Sequence, residues 1–314
     1  MYAACASSWR WKGLRMSDEK VYDCIIVGAG PGGLQAAIYL ARFSKDVLLI
    51  DRSGGRTRHA KHIENYLGHK VISGGELVET GIEQARSFNV KIQTGEVSKV
   101  LKRKFFEVSV GPSVYHSLFT IISTGVYDNF PPIENVHKYL GNGFYTCVYC
   151  DGYRTRGKKL LIIGNSTETA NLALAMKSMY TKDIVLLLYF HTLPPDYEER
   201  LREENIQVVV EKPLRIIGGD TIEAVELKDG RKIPCEAIMS NLGFKLNDAL
   251  LSELNLKKDH ADFKYATGQH YESSLSGLYI VGPLNTGNDQ AVIAAGEGAV
   301  AAIDINKRLL ERLQ

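Results

Sequence analysis

Cys147 and Cys150 are separated by two residues and followed at once by Asp151. Thiols at this spacing can close a disulfide when they sit at a helix start, where the thiolate is also favoured. Asp151, directly after the second thiol, is a candidate proton donor and acceptor for dithiol chemistry. Structural zinc competes as a reading, but it needs four ligands, and Cys5, Cys24 and Cys235 form no second pair. An iron–sulfur cluster fails on the same count. Two free thiols packed in a core is the plain alternative.

A second chemical signal lies near the start of the chain, at Gly28-Ala29-Gly30-Pro31-Gly32-Gly33. Tyr22 to Val27 before it is a short apolar run suited to a buried parallel strand. Leu34 to Phe43 after it has helical spacing, and Val47 to Ile50 is a second apolar strand ending in Asp51. In such a unit Gly28 permits the tight turn, Gly30 lets the backbone approach a pyrophosphate, and Gly33 lets helix pack close to strand. The helix start offers free N–H groups and partial positive charge to that pyrophosphate. Asp51 comes 23 residues after Gly28, where a carboxylate can accept from ribose hydroxyls.

The same order of elements returns later, as a strand over Lys159 to Ile163, a helix through Met179 and a strand over Val185 to Tyr189. A second Rossmann-like domain is expected there. Its turn, however, carries Ser166 and Thr169 in place of the second and third glycines. Their Cβ atoms would crowd a pyrophosphate. Tyr189-Phe190-His191-Thr192 follows, with no arginine pair for a 2′-phosphate and no acid for a 2′-hydroxyl. The scaffold of a nicotinamide domain is kept while its ligand chemistry is missing.

Composition fits this picture. Of 314 residues, 45% are hydrophobic and 24% charged, which argues for a folded globular chain of about two domains. The net charge of +2 gives no basic excess for nucleic acid or an anionic membrane. No apolar run approaches the roughly 18–20 residues that span a bilayer. Five cysteines are too few for a secreted disulfide scaffold, and a reducing, cytoplasmic setting is expected. Residues 1–20 read as an N-terminal extension that holds both tryptophans, Trp9 and Trp11, either as a plain leader or as an arm that stacks on a flat ligand or a partner subunit. Ala291 to Leu313 reads as one long helix.

Taken together, the chain resembles the low-molecular-weight, flavin-dependent thioredoxin reductase family. The motifs that carry the resemblance are GAGPGG at 28–33, IDRSGG at 50–55, IENYLG at 63–68, TGEV at 94–97, STG at 123–125, CVYCDGY at 147–153, LGF at 242–244, and LYIVG with DQAVIAAGEGAVAAIDI within 278–305. The resemblance implies an α/β fold of two Rossmann-like, three-layer dinucleotide-binding domains, the second inserted into the first. The expected limits are 21–125 and 245–314 for an FAD-binding domain and 126–244 for the inserted one. It implies a homodimer and electron flow from FAD to the Cys pair to a thioredoxin-like protein disulfide. Carried over by position, Gly28, Gly30, Pro31 and Gly33 hold the FAD pyrophosphate and Asp51 the ribose. Arg52, Gly55, Arg56, Asn65, Val97, Thr124, Gly125, Gly282, Gln290 and Ala291 complete the cofactor site. Cys150 faces the flavin, Cys147 meets the substrate, and Asp151 moves protons. Hinges are expected near Gly125 to Pro132 and Gly243 to Asn247.

The departures from the family also carry information. The missing second glycine motif and arginine pair weigh against NADPH. Gly282-Pro283 stands where the family has Gly-Asp, and Pro offers neither carboxylate nor N–H. Gly54-Gly55-Arg56 stands where it has Gly-Gly-Gln, and Arg56, Arg58, His59, Lys61 and His62 make a basic cluster. That cluster is either a solvated loop or a phosphate or acidic-partner site. These features resemble the pyridine-nucleotide-independent branch, whose members are ferredoxin-linked or carry extra FAD. A second FAD per chain, held by the aromatic tail and the basic loop, and a ferredoxin donor are therefore expectations too. The rival readings are an NADPH-dependent thioredoxin reductase with an atypical site, a non-catalytic flavin redox sensor, and a ferredoxin–NADP reductase-like enzyme. The last needs no dithiol.

Overall fold

The computed structural model describes residues 20–190, 192–259, 261 and 263–312. Cys5, Trp9, Trp11 and His191 lie outside the described residues, and with them the aromatic arm expected in the tail. The first sheet is built on the strand Val21–Val27, with Val47–Asp51 and then Lys91–Thr94 on one side and Ser113–Ile122 on the other. These neighbours run parallel, and Leu278–Ile280 adds to Ser113–Ile122 in the same sense. Phe106–Val110 and Val97–Lys102 extend the sheet as an antiparallel pair. Residues from both ends of the chain thus share one sheet.

The second sheet is wholly parallel, in the order Gln207–Val210, Ile184–Leu188, Leu160–Gly164, Ala237–Asn241 and Phe144–Tyr145. A small antiparallel meander, Pro213–Ile217, Ala224–Leu227 and Lys232–Pro234, follows its edge strand. Strands buried on both faces read as unbroken apolar runs, as in LLII at 160–163 and IVLLL at 184–188. Side chains alternate between two cores in each sheet. Cys24 and Ile26 join the core under the helices, while Ile25 and Val27 join the opposite one. Leu161 and Ile163 part from Leu160 and Ile162 in the same way. Each fully buried Ile or Leu contributes roughly 1.5–3 kcal/mol, and these rows fix the register. The fold is α/β with two Rossmann-like units, and the strands of the second lie in sequence between strands of the first.

Two antiparallel strands, Val126–Asp128 and Phe244–Leu246, carry the chain out of the first sheet and back. They coincide with the segments expected as hinges. The helix Pro31–Arg42 crosses the C-terminal helix Ala291–Glu311 closely. A Cβ on Gly298 would overlap the Gly32 carbonyl, and one on Gly32 would come 3.0 Å from Ala294 O. Small residues at this crossing bring the two helices together at the carboxyl edge of the first sheet.

Candidate active site

The Cys pair follows the edge strand of the second sheet, Phe144–Tyr145, and touches Gln290 of the first unit. Phe144 and Tyr145 are buried and anchor the approach, and the short helix Val148–Asp151 starts directly after Cys147. Cys147 is extended (φ −130°, ψ 110°), so its side chain turns back to cap that helix. The two cysteines form a disulfide with Cα atoms 5.3 Å apart. The Cys150 N–H donates to Cys147 Sγ at 3.2 Å. An N–H donor on this sulfur favours the thiolate formed when the bond is reduced.

Across the pair stands Gln290, the cap residue just before the C-terminal helix. Its Nε2 lies 3.7 Å from Cys147 Sγ and 3.8 Å from Cys150 Sγ. Asn65 Nδ2 donates to Gln290 Oε1 at 3.0 Å, which holds the amide beside the sulfurs. The loop holding Asn65 is closed by hydrogen bonds in both directions between Ile63 and Ile72, at 2.8 and 3.1 Å. Four residues expected from the sequence therefore converge from three distant segments.

Asp151 follows the pair and is largely enclosed. Burial disfavours its charged form, Arg154 and His62 oppose that, and Glu64 adds to it, so its pKa is pushed up to about 6. A carboxyl at that value exchanges protons near neutral pH. The other described cysteines cannot compete. Cys24 and Cys235 are buried, and burial pushes their thiols up, Cys235 to about 12.

At the first glycine turn, Gly28 has φ +103°, and a Cβ there would come 2.5 Å from Ser123 O. Gly33 packs so closely that a Cβ would overlap Gly28 O. Gly30 differs. Its backbone is ordinary (φ −74°, ψ 177°), and a Cβ would meet only Ser123 O, at 4.0 Å. Gly55 is likewise unstrained (φ −65°), with nothing within 4 Å. No protein atom fills the space over these two positions, which leaves bare backbone open to a ligand's approach. Pro31 opens the helix, which has no side-chain cap and no acid in its first turn. An anion is the natural acceptor for that helix start. The residues present fit a dinucleotide.

Asp51 accepts from Ala29 N at 2.9 Å and Ser53 N at 3.0 Å, which holds its carboxylate beside the turn. Arg52 pairs with Glu96 at 3.0 Å and lies over the Tyr127 ring. Arg56 pairs with Asp128 at 2.9 Å and Arg58 with Glu79 at 2.5 Å, so two arginines of the basic cluster are engaged within the chain. Val97 is buried at the start of its strand. Thr124 Oγ1 donates to Asn247 O at 2.6 Å, and Gly125 next to it has φ +72°. Gly282 (φ +79°) donates its N–H to Glu297 Oε2 at 2.5 Å, and Ala291 opens the C-terminal helix beside Gln290.

The second turn is built differently. Thr169 is fully buried, and its side chain fills the space over Gly164, where a Cβ would come 2.5 Å from Thr169 Cγ2. Ser166 Oγ lies 3.4 Å from Thr169 Oγ1. Asn165 Oδ1 accepts from Tyr189 N at 3.1 Å and ties the turn to the next strand. A hollow of about 450 Å³ beside it is lined by Ser166, Thr167, Thr192, Leu193 and Pro194, with no charged group among them.

Two functional candidates escaped sequence reasoning. Glu297 is 2% exposed, accepts from Gly282 N and from Asn285 Nδ2 at 2.8 Å, and is pushed toward its neutral form by burial. A single acid among the alanines and glycines of 291–302 was its one trace in the sequence. Arg154, beside Asp151, left no trace, because its partner Glu64 is 90 residues away in the chain.

Two Rossmann-like units with a disulfide held between them define a disulfide oxidoreductase. The chain belongs to the pyridine nucleotide-disulphide oxidoreductase family, whose model matches residues 22–298. It is similar to the thioredoxin reductase of Treponema pallidum, with 30% identity over 298 residues, 90% of this chain and 96% of that protein. Thioredoxin reductase of Bacillus subtilis is 24% identical over 313 residues, covering 95% and 98%. The crystal structure of thioredoxin reductase from Streptococcus pyogenes shares the fold, with a TM-score of 0.86 at 24% identity over 93% of this chain and 99% of that one.

Proposed function

We propose that this protein is an FAD-dependent disulfide reductase of the thioredoxin reductase type that feeds electrons through Cys147 and Cys150 to a thioredoxin-like protein disulfide, without drawing on NADPH. The observation that carries the reading is the disulfide seated against Gln290 at the start of the C-terminal helix, at the carboxyl edge of the sheet that bears the glycine turn. FAD, when bound, supplies the electron pair. Gly28, Gly30, Pro31 and Gly33 would receive its pyrophosphate and Asp51 its adenosine ribose, with 21–125 and 245–314 as its domain and 126–244 as the inserted one.

The protein's own part is thiol chemistry. Asn65 and Gln290 hold the pair in place. Asp151 gives a proton to the sulfur released on reduction and takes one from the thiol that next attacks. Cys147 thiolate then displaces one sulfur of the substrate disulfide, and Cys150 displaces the other. The pair is re-oxidised and the substrate leaves with two thiols. Ser166 at the place of the second glycine puts a side chain where a pyrophosphate would approach, which supports a donor other than NADPH. The hollow at Ser166 and Thr192 favours the second reading, an NADPH-dependent enzyme with an atypical site.

An anaerobic spectral titration decides between them. Flavin bleaching by reduced ferredoxin and not by NADPH or NADH is expected, and stoichiometric bleaching by NADPH supports the second reading instead. Flavin released per chain on denaturation counts one against the two that the aromatic tail and the basic loop would allow.

A further inference from the structure

Arg154 stands between two carboxylates that come from different parts of the molecule. Its terminal nitrogen is 2.9 Å from Glu64 Oε2, on the loop of 60–72 that also presents Asn65. Its Nε is 3.4 Å from Asp151 Oδ1, three residues earlier in its own segment. The two contacts are unequal. Arg154 Nε is buried and makes no hydrogen bond, so the approach to Asp151 is electrostatic and misaligned. A guanidinium has donors enough for both carboxylates, but here the edge that carries Nε is not aligned on Asp151 while a terminal nitrogen is close on Glu64. Glu64 has taken the better end.

We propose that Arg154 is a positioning residue for the disulfide chemistry, the shared counter-ion through which Glu64 governs how tightly Asp151 holds its proton. This rests on reading Cys147 and Cys150 as the electron-carrying pair. Four groups face Asp151: Arg154 from its own segment, His62 and Glu64 from the loop opposite, and Tyr145 from the strand before the pair. Glu64 acts in two ways of the same sign. Its charge repels the ionised carboxylate, and its grip on Arg154 keeps the cation from closing on Asp151. Both hold the proton on Asp151. Neutralising Glu64 therefore lowers the proton affinity of Asp151, and neutralising Arg154 raises it.

The test uses the full chain with its bound flavin. The pair is reduced anaerobically with a phosphine, and the rate of alkylation at Cys147 and Cys150 by iodoacetamide is followed by mass spectrometry across pH. Unaltered protein shows an inflection near pH 6 that Asp151→Asn removes, which assigns it to Asp151. Glu64→Gln moves that inflection down by about half a pH unit or more, and Arg154→Gln moves it up by about one unit. Arg154→Lys, which keeps the charge, returns it most of the way. Inflections that stay within about 0.2 unit in both neutral variants, or that move in the same direction, overturn the proposal. Failure of the underlying reading looks different. The pair then stays oxidised when the flavin is photoreduced, whatever the inflection does.

Discussion

On the proposed reading, Asp151 is the residue on which proton balance turns, because reduction of a disulfide creates a sulfur anion that needs a proton. With its pKa pushed up to about 6 by burial, it is largely protonated at pH 5 and largely ionised at pH 7. Asp151→Asn should slow thiol–disulfide exchange by about 100-fold, the low end of what a positioned acid–base group contributes, and flatten the pH–rate limb near pH 6. Flavin content should not change. The same shift has a consequence for stability. The native state holds this proton more tightly than the unfolded chain, so its stabilising contribution is full below about pH 4 and declines as pH rises to about 6. Melting curves should show Asp151→Asn spared that decline. Cys147→Ser should abolish turnover with protein disulfides and leave the flavin bound, since Cys147 lies outside the glycine turn. Full activity in that variant would remove the pair from the active site.

At the scale of elements, the crossing of Pro31–Arg42 with Ala291–Glu311 sets where Gln290, the disulfide's neighbour, stands relative to the glycine turn. The C-terminal helix offers its own control. Gly298→Ala gains up to about 1 kcal/mol of helix propensity, but its Cβ falls on the Gly32 carbonyl, a backbone atom that no rotamer can move. Net destabilisation of about 1–3 kcal/mol is expected, together with loss of retained flavin, as measured by urea unfolding and absorbance. Gly296→Ala, in the same helix and with nothing within 4 Å, should be neutral or more stable by about 0.5–1 kcal/mol. These elements were largely legible in the sequence. Apolar runs such as Val47 to Ile50 are short, continuous and partly β-branched, as buried strands are, and the observed strand is Val47–Asp51. Helical spacing is evident only from Leu34, yet the helix begins at Pro31, because propensity undervalues Pro at a first turn and glycines packed against a second helix. The meeting of Asn65, Gln290 and the Cys pair was reachable only through resemblance, since no spacing rule relates positions 225 residues apart. Glu64 with Arg154 was not reachable at all, because a lone acid and a lone base declare themselves only once folding has brought them together.

Across the whole molecule, the two sheets are joined by the strands Val126–Asp128 and Phe244–Leu246, which act with the Gln290 and Arg154–Glu64 contacts in presenting the Cys pair to the first unit. Their ends are pinned on both sides. At one end Asn247 N donates to Gly125 O at 3.0 Å, Thr124 Oγ1 donates to Asn247 O at 2.6 Å, and Asn247 Nδ2 donates to Thr124 O at 3.2 Å. At the other, Asn129 N donates to Gly243 O at 3.0 Å and Asn129 Nδ2 to Leu242 O at 3.0 Å. Gly125 and Gly243, both at positive φ, mark where the chain turns into and out of this ribbon. Asn247→Ala removes one side-chain hydrogen bond and keeps the backbone pair, a loss of about 1 kcal/mol. In a chain this size that lowers the melting temperature by only about 2–4 °C. Its local effect should be larger, because a two-stranded ribbon has few other bonds to hold it. Hydrogen exchange should therefore quicken at 124–129 and 243–247 well before it does in the strands Val21–Val27 or Leu160–Gly164. Uniform quickening across all of these would instead mean that the ribbon opens only when the whole protein does, and that it fixes the two units as one rigid body.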